Sequence, residues 1–424
     1  MTAKLESIAE TAMVSKLPNG MTIALERLPY LRSASAGVWV RSGSGNETPR
    51  QSGLAHFLEH LFFKGTATRT THELMSAVES RGGHLNAFTS REYTCLYVKM
   101  LDQDIHVGIE ILADLIKNSL FSDLEKEKNV ILEEIASIED TPEDYVHDLL
   151  SQHHWPDHPM GRPISGTIES VSQLALDDVR AFYQDWYTPE EMFFVIAGNF
   201  DEERVLAQVQ GEFGTLPARR APQRHQPPVF RAGINPIARD IAQAHVCLAF
   251  PAPTVLEEER YTCELVSSIL GGGSTSWLFE RIREDEGLAY SIYTFNAFHA
   301  SAGMLGVYAA IAPENLARAM ELVYESLRRL RDDGISPEEL EMNRQQLKGN
   351  MLMALESTST RMSRMAKSLI YHDRIVSIDE IIQRLDAVTE TDVQAHAQKA
   401  FKPQTTTVTV LGPVNGHVAD RVLL

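Results

Sequence analysis

The residues best suited to chemistry lie in one short segment, Gly-Leu-Ala-His-Phe-Leu-Glu-His-Leu-Phe-Phe, residues 53–63. Its apolar pattern predicts a helix on which His56 and His60, four residues apart, share one face. Two imidazoles at this spacing can chelate one zinc ion. Glu59 shares that side, where a carboxylate can take a proton from a metal-bound water. The pattern, H-x-x-E-H, inverts the order of the better-known zinc-protease motif and predicts a hydrolytic zinc site.

The same pattern also fits a half-buried helix whose histidines are ordinary surface or core residues. The neighbours of the motif are apolar, so this helix is expected to be buried nearly all round. A buried Glu59 between two histidines costs free energy unless a cation pairs with it, and a zinc ion would be such a cation. The burial therefore favours the metal interpretation without excluding the structural one.

A third protein ligand is needed if one zinc position is to remain open. The downstream segment 121–140 is rich in carboxylates and predicts a helix. Glu127 and Glu134 are two turns apart and share a face, whereas Glu133 points about 100° away. A carboxylate-rich helix is usually a solvated surface, so spacing alone does not choose a ligand here.

Taken together, these segments resemble the pitrilysin (inverzincin) family of zinc metallopeptidases. The resemblance is closest to the β-subunit of the mitochondrial processing peptidase and its bacterial homologues. It covers nearly the whole chain and is carried by His56-Phe-Leu-Glu59-His60, by the following Phe-Lys-Gly-Thr, and by the later Val-Ile-Leu-Glu-Glu run that ends at Glu134. The resemblance implies that Glu134 is the third zinc ligand and Glu127 an additional active-site carboxylate.

The resemblance also implies residues that bind substrate. Asn86, Ala87 and Phe88 match a strand beside the zinc, to which an extended peptide adds as a further strand through main-chain hydrogen bonds. Arg283 and Tyr290 match a signature of the second half of the family. An arginine can donate to a substrate carbonyl, and a tyrosine hydroxyl can stabilise a developing oxyanion.

The elements that must position these residues repeat along the chain. Asn86-Ala-Phe recurs 210 residues later as Asn296-Ala-Phe, and Tyr187-Thr-Pro corresponds to Phe401-Lys-Pro at an offset of 214. Matches in the same order at a nearly constant offset predict a duplication. The linker between the copies is rich in proline and arginine, which favours an extended connector.

The duplication predicts an α+β fold with two tandem homologous domains, each a mostly antiparallel sheet with helices packed on one face. The expected ranges are a catalytic zinc-binding domain at 1–215, a proline-rich linker at 216–232 and a second domain at 233–424. At the offsets above, His56 and His60 correspond to Val266 and Leu270, and Glu134 corresponds to Lys348. Only the first copy therefore has the metal ligands, which predicts one Zn²⁺ per chain.

Composition narrows the class of partner and the compartment. The chain has 39 Lys and Arg against 58 Asp and Glu, a net charge of −19, and no basic stripe that would indicate nucleic-acid binding. The charge fits either a soluble surface or an acidic cavity for basic ligands. Three dispersed cysteines argue against a disulfide framework. Neither a targeting segment nor a membrane span is evident, so a cytoplasmic location is expected.

The predicted function is a zinc-dependent endopeptidase that cleaves peptides or unfolded, presequence-like polypeptides, with Glu59 as the general base. The family builds a clamshell of four homologous domains. A chain with two of these domains would form half of the clamshell. We therefore expect a homodimer that encloses the substrate in a dimeric chamber. A complex with a different partner chain is also compatible with the sequence. The alternative is a catalytically inactive or partner-dependent structural subunit of the same fold.

Overall fold

The computed structural model describes residues 12–414. The expectation that the N-terminus contains no targeting segment rests partly on residues 1–11, which lie outside that range. The strands are β1 (Met13–Lys16), β2 (Thr22–Arg27), β3 (Ser33–Val40), β4 (His84–Thr89), β5 (Thr94–Leu101), β6 (Met192–Gly198), β7 (Gly233–Ala238), β8 (Ala244–Ala252), β9 (Ala289–Phe298), β10 (Gly303–Ile311) and β11 (Thr407–Gly412). The α-helices are α1 (Leu54–Phe62), α2 (Thr71–Glu79), α3 (Ile105–Asn118), α4 (Leu124–Glu139), α5 (Pro142–His154), α6 (Ile168–Gln173), α7 (Leu176–Trp186), α8 (Glu202–Phe213), α9 (Glu259–Gly271), α10 (Leu316–Asp332), α11 (Pro337–Ala354), α12 (Thr358–His372), α13 (Ile378–Ala387) and α14 (Glu390–Ala400).

The strands form two sheets with the same topology. The first has six strands in the order β1-β2-β6-β3-β5-β4, and the second has five in the order β7-β11-β8-β10-β9. Each contains one parallel pair, β2 with β6 and β7 with β11, and its other neighbours are antiparallel. The second sheet repeats the first without β1. The predicted class, two mostly antiparallel α+β domains of one fold, is confirmed.

The chain divides into two compact units that interleave along the sequence. The first comprises residues 12–136, 162–225 and 353–379, and the second comprises 137–161, 226–352 and 380–414. These units differ from the ranges 1–215 and 233–424 because each half contributes one helical segment to the other unit. The two predicted ranges describe the duplicated halves of the sequence, and as domain boundaries they remain a prediction. Residues 217–232 contain neither helix nor strand, as expected of a connector.

In the first unit, both faces of the sheet are covered. One face packs against a core that includes α1 and α3. On the other face, Trp39 and Phe193 pack with Met365 and Leu369 of α12. Strand β6 is buried at every residue, which explains why its sequence is continuously apolar and not alternating. The sequence predicted helices on one face of the sheet. In the structure, α12 covers the other face as well.

The second unit repeats this construction with its own added helix. Helix α5 contributes Val146 and Leu150 to a cluster with Cys247 and Ala249 of β8. The opposite face of the sheet packs against α9, α10 and α14. Strand β11 is buried at every residue, as its counterpart β6 is.

Among residues 12–414, no helix combines the length and the apolar composition needed to cross a bilayer. The three cysteines, Cys95, Cys247 and Cys263, are buried and unpaired with one another. Burial raises the pKa of Cys263 above its ordinary value, so this thiol is kept neutral. The cysteines are therefore core residues of the two units.

Candidate metal centre

Helix α1 carries the inverted zinc motif and is anchored in the core of the first unit. It begins after Gly53, whose φ of +89° favours glycine. A Cβ on Gly53 would lie 2.5 Å from the carbonyl oxygen of Ser165, so the close approach of these two segments also requires glycine. The apolar residues of the helix are buried on several sides: Leu54, Ala55, Phe57, Leu58, Leu61 and Phe62.

The structure brings His56, His60 and Glu134 together. His56 Nε2 lies 3.6 Å from Glu134 Oε1, and His60 Nε2 lies 3.6 Å from Glu134 Oε2. Donor atoms about 2.0–2.2 Å from a tetrahedral zinc ion are separated by about 3.3–3.6 Å. The three side chains therefore fit zinc, and they form the one cluster of this kind within residues 12–414. Glu133 is exposed on α4 and lies outside the cluster.

The protonation state of His56 suits metal binding. Burial, followed by the charge of neighbouring His60, lowers the pKa of His56 to about 4. The imidazole is therefore neutral at neutral pH, which is the form that coordinates a metal. Its Nδ1 is buried and has no hydrogen-bond partner in the part of the chain that the structure describes.

Glu127 lies behind His60, outside the group of three ligands. Its side chain is only 1% exposed, and its Oε2 is 3.5 Å from His60 Nδ1. Lys64 Nζ lies 2.8 Å from Glu127 Oε1 and neutralises the buried charge. A carboxylate on the nitrogen that does not face the metal fixes the tautomer and orientation of a ligating ring. Glu127 and Glu134 share a face of α4, as predicted, but they have different contacts.

Glu59 is held by a neighbouring strand. The hydroxyl of Thr89 donates a hydrogen bond of 2.6 Å to Glu59 Oε2. Burial raises the pKa of Glu59, whereas the hydrogen bond from Thr89 and the charge of His60 oppose this shift. A carboxylate with a raised pKa beside a metal site is suited to accept and release a proton.

The strand that matches the family's peptide-binding strand is the outermost strand of the first sheet. Strand β4 pairs with β5, and its other edge has no strand partner within residues 12–414. Asn86 is exposed, whereas Ala87 is buried. The ring of Phe88 packs edge-on against Trp39, with centroids 5.4 Å apart, on the face that α12 covers. The outer edge therefore offers main-chain groups, while Phe88 contributes to the core.

Arg283 and Tyr290 lie together in the second unit. Arg283 belongs to a π-helical segment, Phe279–Asp285, and Tyr290 lies in β9. The Arg283 guanidinium is 5.1 Å from the centre of the Tyr290 ring and 4.7 Å from that of Phe279. Tyr290 is 78% exposed, an uncommon exposure for a large aromatic side chain. The pair therefore presents a cationic and a phenolic donor at the surface of this unit.

The second unit has no counterpart of the metal cluster at the duplicated positions. Val266 and Leu270 are buried in α9 and belong to the core. Lys348 is nearly buried in α11 and forms an ion pair with Asp386. Apolar side chains and an ion pair thus occupy the positions that correspond to the three candidate ligands of the first unit.

Sequence reasoning missed two residues that contact the site elements. Thr89 directly follows the matched strand residues Asn86, Ala87 and Phe88. Its hydroxyl bonds to Glu59, which is 30 residues away in the chain, and no sequence motif indicates that contact. Glu47 accepts hydrogen bonds from the main chain at the start of α1. It precedes Gly53 by six residues across a loop, and no capping motif spans that distance.

The fold and the site together define a metallopeptidase of the inverted H-x-x-E-H type. Family models match most of the chain: insulinase (peptidase family M16) over residues 22–168 and the peptidase M16 inactive domain over residues 173–347. The chain belongs to peptidase family M16. This membership confirms the predicted enzyme class, metallopeptidase, while the finer resemblance to the mitochondrial β-subunit remains a prediction.

Relatives agree with this family, and a solved structure shares the fold. The Bacillus subtilis (strain 168) protein named uncharacterized zinc protease YmxG is 39% identical over 385 residues, which cover 90% of this chain and 94% of that protein. The Streptomyces coelicolor zinc protease SCO5738 is 36% identical over 97% of this chain and 92% of that protein. A Helicobacter pylori protease structure has a TM-score of 0.90 at 22% identity and covers 95% of this chain and 100% of that one, which shows the shared fold.

Proposed function

We propose that this protein is a zinc-dependent endopeptidase that cleaves peptides or unfolded, presequence-like polypeptides. The observation that carries the proposal is the cluster of His56, His60 and Glu134 on α1 and α4, with the base candidate Glu59 on the same short helix. Each histidine Nε2 lies 3.6 Å from an oxygen of Glu134, and one donor atom from each of the three residues lies within 4.8 Å of the others, which supports binding of a single zinc ion. The names of the zinc-protease relatives support the same metal.

Zinc, when bound, acts as a Lewis acid and lowers the pKa of water to about 7. The residues of the chain supply the remaining chemistry. Glu59 Oε2 is held by Thr89, which leaves Oε1 to accept the proton of the attacking water. Because burial raises the pKa of Glu59, the carboxyl can hold that proton and then donate it to the leaving amine.

The outer edge of β4 supports binding of an extended peptide. Main-chain groups of Asn86, Ala87 and Phe88 would pair with the substrate as an additional strand, a mode that tolerates many sequences. Arg283 and Tyr290 would donate hydrogen bonds to a substrate carbonyl and to the developing oxyanion. The net charge of −19 is compatible with basic, presequence-like substrates.

We infer three further properties from the resemblance and the composition. The chain binds one Zn²⁺, because the duplicated positions in the second half have no ligands. It forms a homodimer that completes a chamber of four homologous domains. It works in the cytoplasm. Light scattering of the active sample tests the second property, and an active monomer would contradict it.

The decisive experiment compares the wild type with Glu59→Gln on a mixture of unstructured basic peptides. We expect about one zinc per chain in both proteins and a loss of turnover in the variant of about 10²–10⁴-fold. Glu133→Gln is the matched control, because Glu133 is an exposed glutamate outside the cluster. Equal cleavage by Glu59→Gln would refute the mechanism. A wild type without zinc and without cleavage would instead support the inactive-subunit alternative.

A further inference from the structure

The metal-binding helix begins without a side-chain cap of its own. Its N-cap residue is Gly53, which has no side chain to accept hydrogen bonds from the first turn. The first N–H groups of any helix lack partners within that helix. In α1, Glu47 from the preceding loop supplies the acceptors. Glu47 Oε2 accepts from Gly53 N at 2.9 Å, and Glu47 Oε1 accepts from Ala55 N at 2.7 Å.

Glu47 is fully buried and is itself held in place. Arg162 donates a hydrogen bond to the main-chain oxygen of Glu47. Burial raises the pKa of Glu47, whereas the two main-chain donors and the charge of Arg162 favour the ionised carboxylate, whose oxygens can both accept. Burying a carboxylate costs free energy, which hydrogen bonds to both of its oxygens offset. Because both bonds go to the start of α1, they restrict the position of that start.

A second segment also restricts the helix start. Gly53 and Gly166 approach so closely that a Cβ on either would lie 2.5 Å from a main-chain oxygen of the opposing segment. The start of α1 is therefore in close contact with two other parts of the unit, the Glu47 carboxylate and the segment at Gly166. His56 follows the second capped residue, Ala55, directly, and α1 has only nine residues. A shift or fraying of the first turn would move His56 relative to Glu134.

We propose that Glu47 is a positioning residue of the metal centre: its carboxylate fixes the first turn of α1 so that His56 and His60 meet Glu134 without reorganisation. The proposal rests on the zinc binding inferred above and extends it to a residue that does not contact the metal. Preorganisation of this kind tightens metal binding, because the free energy of ordering the ligands is supplied by the folded protein and not by the ion.

Glu47→Gln tests the proposal in the full-length chain. The substitution preserves shape but places an amide donor opposite one of the two main-chain N–H groups that Glu47 accepts from. The measurements are the zinc dissociation constant by competition with a chromophoric chelator, the visible spectrum of the Co²⁺-substituted protein, and the melting temperature without metal. We expect zinc binding to weaken by about 10–100-fold, the range for residues that support ligands, together with an altered Co²⁺ spectrum.

Glu73→Gln is the matched control. Glu73 also accepts a hydrogen bond at a helix start, from Thr70 N at 2.8 Å, but its helix α2 carries no candidate ligand. We expect this variant to keep the zinc affinity and Co²⁺ spectrum of the wild type. If Glu47→Gln does not fold, Glu47→Asp retains a carboxyl group but withdraws it from the helix start, and we expect weakened zinc binding there too.

The outcomes separate this proposal from the proposed function. Wild-type zinc affinity and an unchanged Co²⁺ spectrum in the folded Glu47 variant overturn the positioning role, even if the melting temperature falls, because Glu47 would then only stabilise the fold. Failure of the wild type itself to bind zinc overturns the proposed function, and the positioning role with it.

Discussion

Thr89 donates a hydrogen bond of 2.6 Å from its Oγ1 to Glu59 Oε2, and this contact joins the outermost strand β4 to helix α1, which carries two of the candidate metal ligands. Side chains alternate along β4, so Thr89 shares the face of Leu85 and Ala87, which pack into the same core as α1. The strand whose outer edge would bind a peptide thus also orients the proposed base. In the proposed mechanism, Thr89 would therefore couple the position of the substrate to the geometry of the base.

Removal of the Thr89 hydroxyl is the first test of this coupling. Thr89→Val keeps the shape but removes the donor, and a hydrogen bond to a charged group contributes about 1.5–3 kcal/mol. We expect kcat to fall by about 10–100-fold with little change in KM or zinc content. Thr89→Ser restores the hydroxyl and is expected to recover most of the activity. Identical kinetics for the valine and serine variants would contradict the assigned contact.

The contact of Glu127 with His60 predicts an effect on metal affinity. Glu127→Gln removes the negative charge beside His60 Nδ1 and leaves Lys64 without its anionic partner. We expect zinc binding to weaken by about 10–100-fold, measured by chelator competition. Glu133→Gln, six residues further along the same helix, is the control and is expected to bind zinc like the wild type. An unaltered affinity in Glu127→Gln would show that the contact does not orient the ligand.

A buried histidine in the second unit predicts how stability depends on pH. His154 is fully buried, and its Nδ1 donates to the Thr407 hydroxyl at 2.7 Å, because that hydroxyl itself donates to the Arg231 carbonyl. Burial lowers the pKa of His154 to about 4. Between about pH 6.5 and pH 4, the unfolded chain therefore binds a proton that the folded chain does not, and this contribution to stability is lost as the pH falls.

Melting temperatures of the metal-free proteins measure this effect. His154→Gln removes the titration, so the stability difference between wild type and variant is expected to shrink as the pH falls from 7 to 4.5. His72→Gln, at an exposed histidine of α2, is expected to follow the wild type. A difference between wild type and His154→Gln that stays constant over this range would mean that His154 is not kept neutral by burial.

Helix α12 is expected to stabilise the first sheet, although it comes from the second half of the sequence. Met365 is fully buried against that sheet, whereas Met353, which precedes α12, is 65% exposed. Met365→Ala is expected to lower the free energy of unfolding by about 2–5 kcal/mol, the cost of a buried cavity. Met353→Ala is expected to change it by less than about 0.5 kcal/mol. Urea denaturation measures both, and equal effects would contradict the packing assignment.

The sequence alone predicted those parts of the site that depend on local geometry. The spacing of His56, Glu59 and His60 places them on one side of any helix, whatever surrounds it. The shared face of Glu127 and Glu134 follows from the same periodicity. The duplication was visible because repeated elements keep their order and spacing. These relationships depend on a few bonds of the backbone and need no knowledge of the rest of the fold.

Only the tertiary structure decided which residues meet across elements. It brought Glu134, and not Glu133, to the two histidines, and it placed Thr89 on Glu59 and Glu47 on the start of α1. It also covered the second face of each sheet with a helix from the other half of the sequence. Such contacts join residues far apart in the chain, and they arise from burying the remaining apolar surface and satisfying buried polar groups, which no local spacing encodes.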